Sequence, residues 1–296
     1  MMDKLRGMKT PQLAREALAE MMGTLILCTF GVGSVAQFVL AKQDFGGYWS
    51  VNWGWGLGVA FGIYWSGGIS GGHINPAVSL ALAVCGRFKW HKLPIYWIAQ
   101  MIGAIVGSAI AFGVYHDYLV EFTGSARLTT GSNGTAGIWS TYPPEFVSNW
   151  SGFADQMVGT ALFVGTIFAL LDQRNIGVGA NIAPFLIGLI VLTMGTTFGI
   201  NAGFGLNPAR DLGPRIFTAI AGWGGTPFSA HDNWWVFAVM GQLLGGCVGG
   251  LAYELTIAIH HTEDEEECGR PPEKDEPGET EAGCQHASQT NSPRTK

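Results

Sequence analysis

Two tripeptides in this sequence combine a side-chain amide, a proline and a small residue. They are Asn75-Pro76-Ala77 and Asn207-Pro208-Ala209. Asparagine is a favoured N-cap, and proline suits the first helical position because its missing N–H would have no partner there. Each tripeptide therefore predicts the start of a helix with an amide group held at its end. One copy alone is more typical of a simple turn, whereas two copies in similar surroundings indicate a shared purpose.

Both tripeptides have the same surroundings, because a glycine-rich stretch precedes each one and an apolar run of about ten residues follows. Ten helical residues span about 15 Å, or half of a hydrocarbon core. Irregular backbone at membrane depth is tolerated only where it is buried in protein or lines a watery cavity. The pattern therefore predicts two re-entrant half-helices whose glycine-rich loops turn their carbonyls toward a pore.

The rest of the chain has a composition suited to lipid. Of the 296 residues, 48% are hydrophobic and only 13% are charged, against about 25% charged in an ordinary soluble domain. Apolar runs long enough to cross a bilayer occur at about residues 16–39, 51–66, 93–115, 153–171, 184–200 and 235–259. Glycines within these runs suit close helix packing in lipid. We expect an all-α membrane protein with six spans.

An internal repeat relates the two halves of the chain. The residues that begin at Glu20 resemble those that begin at Gln156, and about 130 residues separate them, as they separate the two tripeptides. Each copy, about residues 13–125 and 150–262, holds three spans, so the second must insert upside down. Polar groups buried in a membrane usually have partners. We therefore interpret Glu20 and Gln156 as structural supports.

Basic residues and sequons predict the orientation in the membrane. Lysine and arginine concentrate before the first span, before the third and after the fourth, which predicts cytoplasmic termini. Residues 116–152 then face outward, and Asn133 and Asn149 are candidate glycosylation sites. Residues 1–12 are expected to form a cytoplasmic N-terminus. Residues 263–296, which supply much of the net charge of −6, predict a disordered acidic cytoplasmic tail.

With their flanks, residues 70–78 and 205–215, the two motifs make the chain similar to the aquaporin superfamily, also called the major intrinsic protein family. The resemblance covers about residues 13–261. The chain resembles the aquaglyceroporin branch in particular, because an aspartate, Asp211, follows the arginine after the second motif. Residues 141–144 and 217–224 resemble the same stretches in the animal members of that branch. The resemblance implies a right-handed bundle of six transmembrane helices and two half-helices. It also implies a homotetramer in the lipid bilayer, here of the plasma membrane, with one pore in each subunit.

The resemblance further implies a selectivity filter of Trp55, Gly195, Phe204 and Arg210. Trp55 and Phe204 would form an apolar wall for the carbon chain of glycerol, and Arg210 would donate hydrogen bonds to its hydroxyl oxygens. Water-only relatives have a histidine where Gly195 stands, so the glycine leaves room for a larger solute. A charge at membrane depth costs about 2.5 to 3.5 kcal/mol, which favours a pore role for Arg210 over a simple anchor. Arg215 is also expected to lie partly in the pore.

Backbone and amide groups would complete the path through the pore. Hydroxyl protons would be accepted by the carbonyls of Gly71, Gly72, His73, Gly203, Phe204 and Gly205. Asn75 and Asn207 would donate N–H groups to the passing oxygen and interrupt a proton wire. In this family the residues at Glu20 and Gln156 brace the two loops, but bacterial relatives commonly have glutamate at both, so Gln156 makes the brace asymmetric. His73 is either a packing residue, which we favour, or a pH sensor.

We therefore expect a passive channel, not an enzyme, for glycerol, water and other small neutral solutes such as urea. It would exclude protons and ions and need no cofactor, metal or nucleic acid. A secondary transporter would also have inverted repeats, but only Glu20 and Arg210 offer charged groups for coupling. An intramembrane enzyme needs a nucleophile with a base or a metal cluster, and the histidines fall on separate segments. A water-selective pore is opposed by Gly195 and Asp211, and nothing in the sequence decides against a junctional role.

Overall fold

The structure, a computed structural model, describes residues 10–261. Residues 1–9 of the predicted N-terminal segment and the acidic tail predicted for residues 263–296 lie outside the described residues. Regular structure between residues 10 and 261 is helical throughout. The helices are α1 (Gln12–Leu40), α2 (Tyr48–Ser70), α3 (Pro76–Val84), α4 (Leu93–Val114), α5 (His116–Thr123), α6 (Asn149–Leu171), α7 (Ala183–Ala202), α8 (Pro208–Thr218) and α9 (Thr226–Thr256).

Six long helices, α1, α2, α4, α6, α7 and α9, correspond to the six predicted spans. Five of them are long and apolar enough to cross a membrane. The sixth, α2, has 23 residues, which is enough for a span. The last helix, α9, is interrupted at residues 230–233, where three residues have positive φ. Its continuous part therefore begins close to the predicted residue 235.

The two halves of the chain pack in the same way. Helix α1 packs against α2 and α4, and α6, its counterpart in the second half, packs against α7 and α9. Glycines allow the closest approaches: a Cβ on Gly103 or Gly107 of α4 would meet the backbone of α1, and one on Gly245 or Gly249 of α9 would meet that of α6. Both pairs have the four-residue spacing that suits helix contacts in lipid. The predicted internal repeat is thus visible in the packing.

Each short helix packs across the boundary between the halves. Helix α3, with nine residues, contacts α9, and helix α8, with eleven, contacts α4. Their lengths agree with the predicted half-helices of about ten residues. Because each of these helices rests on a long helix of the other half, their N-termini meet inside the bundle.

The outward surfaces of the long helices are apolar. Large exposed hydrophobic side chains include Phe30 of α1, Ile98 and Ile110 of α4, Leu162 of α6 and Val248 of α9. Exposed apolar area on this scale suits contact with lipid rather than water. Together with the five apolar spans, it makes the chain a multi-pass membrane protein.

Candidate pore and selectivity filter

Asn75 and Asn207 cap the two half-helices and join them to each other. The Oδ1 atom of Asn75 accepts a hydrogen bond from the Ala77 N–H at 2.8 Å, and that of Asn207 accepts one from the Ala209 N–H at 3.0 Å. Each amide nitrogen then donates to the opposite loop, Asn75 to the Leu206 carbonyl at 2.9 Å and Asn207 to a carbonyl of the first loop at 2.8 Å. An amide nitrogen carries two hydrogens, so each asparagine keeps one donor for a solute.

The two carbonyls that accept these bonds belong to Ile74 and Leu206. Both residues have positive φ, 42° and 55° respectively, in a region that branched and bulky side chains rarely occupy. Such strain concentrates at functional sites, where the surrounding structure holds it in place. Here it lets each residue direct its carbonyl at the asparagine of the other half.

Glu20 supports the first loop as the sequence predicts. Its carboxylate is fully buried and accepts hydrogen bonds from the N–H groups of His73 at 2.9 Å and Ile74 at 2.6 Å. The Ser70 hydroxyl and the Gln100 amide also donate to it, at 2.6 Å and 2.7 Å. Four donors satisfy the buried carboxylate, and the loop backbone is fixed with its N–H groups turned away from the pore.

Gln156 supports the second loop with the opposite polarity. Its amide nitrogen donates to the Gly203 carbonyl at 2.6 Å, and its oxygen accepts from the Gln242 amide at 2.9 Å. A Cβ on Gly205 would lie 2.5 Å from the Gln156 oxygen, so only glycine permits this approach. The predicted asymmetry of the two supports therefore lies in which backbone group each one binds.

Arg210 and Trp55, two of the four predicted filter residues, are in direct contact. The Arg210 guanidinium lies 3.9 Å from the centre of the Trp55 ring, a cation–π geometry. Its Nη1 donates to the Trp139 carbonyl at 3.2 Å, which fixes the side chain in place. Arg210, a buried residue, thus keeps further N–H groups for a solute.

Gly195 and Phe204 face each other beside this pair. A Cβ on Gly195 would lie 2.9 Å from the Cζ atom of Phe204 and 2.5 Å from the Asn52 side-chain oxygen. Any larger residue at position 195 must therefore displace one of these side chains. Phe204 also packs edge-on against Tyr48, with ring centroids 6.4 Å apart. The structure therefore pairs Gly195 with Phe204 and Trp55 with Arg210, and the role of these residues in selection stays a prediction.

Asp211 holds a segment, residues 139–147, that supports Arg210 and is called the outer segment after its predicted orientation. Its Oδ1 accepts from the Thr141 N–H at 2.6 Å, and its backbone carbonyl accepts from the Ser140 hydroxyl at 2.9 Å. Trp139, whose carbonyl binds Arg210, directly precedes Ser140. The aspartate that marks the aquaglyceroporin branch in the sequence therefore positions the arginine through this segment.

Arg215 does not lie in the pore, contrary to the expectation from the sequence. It is fully buried, donates to the Thr141 carbonyl at 2.6 Å and the Pro227 carbonyl at 2.7 Å, and contacts the Asp211 carboxylate at 3.2 Å. The charge that we assigned to the pore is thus neutralised by Asp211, four residues earlier on the same helix. Arg215 joins α8 to the outer segment.

A cavity of about 720 Å³ leads from Arg87 and Asn181 to Asn75 and Asn207. Its side-chain walls are mainly apolar, and the first loop supplies Gly71, Gly72 and His73 to its lining. Among residues 10–261, no group donates a hydrogen bond to the carbonyls of Gly71, Gly72, His73, Phe204 or Gly205. The sixth predicted pore carbonyl, that of Gly203, is already bound by Gln156, and its pore role stays a prediction.

His73 packs in a defined site at this cavity. Its Nδ1 atom lies 3.1 Å from the Ser79 hydroxyl, and its ring contacts the rings of Phe88 and Tyr96, with centroids 4.8 Å and 5.1 Å apart. These contacts agree with the packing role that we favour. They leave the pH-sensor hypothesis to a pH profile of the flux.

The two sequons differ in their surroundings. The side chain of Asn133 is exposed, whereas the Asn149 amide nitrogen, at the start of α6, donates to the His231 carbonyl at 2.8 Å. A glycan at Asn149 would have to be attached to an amide nitrogen that already holds this bond. Of the two predicted glycosylation sites, Asn133 is the more accessible.

Sequence reasoning missed several residues that form this site. Trp139 and Thr141 hold the filter arginine and its supporting aspartate, and Gln100 and Gln242 complete the two supports of the loops. All four contact residues far away in the chain. For Gln100 and Gln242 a signal was available, because polar residues in the middle of the third and sixth spans need partners.

Comparison with known proteins gives consistent matches. A family model described as major intrinsic protein matches residues 7–253. Aquaporin-9 of Homo sapiens is 48% identical over 260 residues, which cover 88% of both chains. Aquaporin-10 of Homo sapiens is 41% identical over 282 residues, which cover 95% of this chain and 90% of that protein. The X-ray structure of the aquaglyceroporin from Plasmodium falciparum has a TM-score of 0.76 and 31% identity, and the match covers 83% of this chain and 98% of that one.

Proposed function

The chain belongs to the major intrinsic protein family and is a channel for glycerol and water, and we propose that Trp55, Gly195, Phe204 and Arg210 select its solutes. The observation that carries this proposal is the Arg210 guanidinium held 3.9 Å over the Trp55 ring. N–H groups at the rim of the guanidinium would face the path, and the Trp55 and Phe204 rings would offer carbon beside them. This combination suits a solute that has a polar face and an apolar face.

Glycerol is such a solute, since its hydroxyl groups can turn to one side and its C–H groups to the other. A hydroxyl oxygen would accept from Arg210, while the hydroxyl protons would find the unpaired carbonyls of Phe204 and Gly205. The apolar face would rest on Trp55 and Phe204. Hydrogen bonds lost from water are replaced in this way, which keeps the barrier to passage low. No chemical step is needed, so the protein acts as a channel and not as an enzyme.

Ions and protons are opposed by electrostatics and by hydrogen-bond direction. Arg210 and the N-termini of α3 and α8 place positive potential on the path of cations. The amide hydrogens left free on Asn75 and Asn207 would donate to a water oxygen at the middle of the pore. A water molecule that accepts from both amides cannot also pass a proton along a chain of waters.

The membrane setting is part of the proposal. The positive-inside bias supports cytoplasmic termini, with residues 13–262 as the channel unit and its repeats at about 13–125 and 150–262. Residues 116–152 would then face outward, and the exposed Asn133 would be available for glycosylation. The resemblance to the family supports a homotetramer in the plasma membrane, and passage of urea is proposed on the same basis.

A histidine at position 195 tests the filter against the water-selective alternative. In liposomes, Gly195→His should lower glycerol permeability about tenfold or more, since a barrier raised by about 1.4 kcal/mol is sufficient. Water permeability under a sucrose gradient should stay within about threefold of its original value, which corresponds to less than 1 kcal/mol. Stopped-flow light scattering measures both rates.

A matched control is Gly113→His in α4, because that glycine is exposed and a Cβ there meets nothing within 4 Å. It should leave both rates unchanged. Equal glycerol flux in the Gly195→His and original proteins would show that selection occurs elsewhere. Water flux without glycerol flux in the original protein would establish the water-selective pore instead.

A further inference from the structure

One face of α2 follows the pore beyond the cavity. Val59, Ile63 and Gly67 line the cavity, and helical steps of three or four residues lead back from them to Trp55 and Asn52. Residues at such spacing share one face of a helix. Asn52 therefore lies at the edge of this face, one turn beyond the filter tryptophan and next to α7.

The side-chain oxygen of Asn52 is buried and unsatisfied among the described residues. Asn52 is only 2% exposed, and its Oδ1 atom is buried with no donor near it among residues 10–261. Buried amides in native structures are nearly always hydrogen-bonded, so an unpaired one needs an explanation. A solute hydroxyl that reaches Asn52 only during passage would explain why no protein group binds the oxygen.

The neighbours of Asn52 belong to the filter. A Cβ placed on Gly195 would lie 2.5 Å from the Asn52 oxygen and 2.9 Å from the Phe204 ring. The glycine and the phenylalanine ring offer no side-chain donor for the Asn52 oxygen. The unpaired amide is thus set beside two filter residues and one helical turn from the third, Trp55.

We propose that Asn52 is a further specificity-determining residue, whose amide hydrogen-bonds a hydroxyl of glycerol beside Phe204 and Trp55. This inference rests on the proposed glycerol path. An amide both donates and accepts, so it can bind a hydroxyl in either orientation. Glycerol has three hydroxyl groups that must be satisfied in the narrow filter, and Asn52 would supply a contact in addition to those of Arg210.

The test compares glycerol with propane-1,2-diol, which has a similar shape and one hydroxyl fewer. Asn52→Leu keeps the volume of the side chain and removes the amide, and Asn52→Ser keeps a donor and an acceptor. Each is reconstituted in liposomes, and solute and water permeabilities are measured above the protein-free background. Thr197→Val in α7 is the matched control, because its exposed hydroxyl already donates within its own helix, at 2.8 Å to the Thr193 carbonyl.

The Asn52→Leu variant should lower the ratio of glycerol to propane-1,2-diol permeability about fivefold, as expected for one lost hydrogen bond. Asn52→Ser should recover most of the ratio, and Thr197→Val should leave it unchanged. An unchanged ratio in Asn52→Leu, or an equal loss for both solutes and water, would overturn the inference and show a packing role. If leucine blocks all flux, Asn52→Ala decides, since it removes the amide without narrowing the pore. No glycerol flux in the original protein would instead refute the proposed path.

Discussion

The two re-entrant loops have similar backbone paths and are held by different chemistry. Both carry a residue of positive φ before the asparagine, and each asparagine donates to the other loop. Glu20, however, accepts N–H groups from the first loop, whereas Gln156 donates to a carbonyl of the second. The repeat is therefore conserved in shape and not in the polarity of its supports.

This difference affects the carbonyls that each loop can offer to a solute. The carboxylate of Glu20 binds only donors, so it leaves the carbonyls of Gly71, Gly72 and His73 without a partner among residues 10–261. In the second loop Gln156 occupies the Gly203 carbonyl, and the neighbouring half-helix gains an additional anchor through Asp211 and Arg215. The second loop thus has an amide support, and its half-helix α8 also has a buried ion pair. The first half-helix, α3, has no such pair among its described contacts.

Removal of Asp211 should have the largest effect on this comparison. Asp211→Ala would leave Arg215 charged and unpaired in a fully buried site, which costs about 3–5 kcal/mol. It would also release the Thr141 N–H. We expect loss of the folded protein or a sharply lower melting temperature in detergent, measured by fluorescence-monitored unfolding. The exposed Asp117→Ala is the control, and equal stability of the two variants would contradict the anchoring role.

Replacement of Glu20 by glutamine, the residue that supports the second loop, should have the next largest effect. In Glu20→Gln the new NH2 group would replace one carboxylate oxygen and face its two donors, either the His73 N–H and the Ser70 hydroxyl or the Ile74 N–H and the Gln100 amide. With two buried donors left unpaired or repelled, we expect a loss of about 2–3 kcal/mol, and glycerol and water flux should fall together. Unchanged unfolding temperature and flux would mean that the polarity of the support is unimportant.

The reverse exchange should have a smaller and pH-dependent effect. In Gln156→Glu an ionised carboxylate would face the Gly203 carbonyl, an acceptor against an acceptor, at a cost of about 1–2 kcal/mol. Protonation restores a donor, so glycerol flux of this variant should rise as the pH falls, while that of the original protein should not follow the same curve. Parallel pH profiles for the two proteins would argue against the observed bond direction.

The smallest effect on stability should come from a change at the end of α6, where the residue that directly follows the helix is charged, whereas the one that directly follows α1 is not. Ala41 follows α1, whereas Asp172 follows α6 and lies 3.0 Å from the Tyr253 hydroxyl. Burial alone would raise the pKa of Asp172, but hydrogen bonds from Arg174 and Tyr253 outweigh it and hold the pKa at about 2. We expect Asp172 to contribute about 1 kcal/mol, after screening by water.

Because the folded pKa of Asp172 is depressed, its contribution is present above the unfolded value of about 4 and is lost as the pH falls toward 2. The melting temperature of the original protein should therefore fall more between pH 6 and pH 3 than that of Asp172→Asn. An equal fall in both proteins would show that Asp172 does not contribute to acid sensitivity.

The sequence predicts the fold and the position of the pore because its strongest signals are local. Asn-Pro-Ala after glycine-rich backbone specifies the half-helices, and the apolar runs specify the spans. What the sequence could not give depends on contacts across the bundle. Arg215 was placed in the pore because a pattern shows a charge at membrane depth and not its partner Asp211, and Trp139 contributes only a carbonyl.

The central claim, a passive and selective path for glycerol, is tested most directly by stopped-flow light scattering on liposomes that contain the unaltered protein. Glycerol gradients of increasing size are applied, with and without an imposed proton gradient. The account predicts fast re-swelling at a rate that rises in proportion to the glycerol gradient and is indifferent to the proton gradient. Saturating uptake that accelerates when protons flow inward would contradict it and would indicate a coupled transporter.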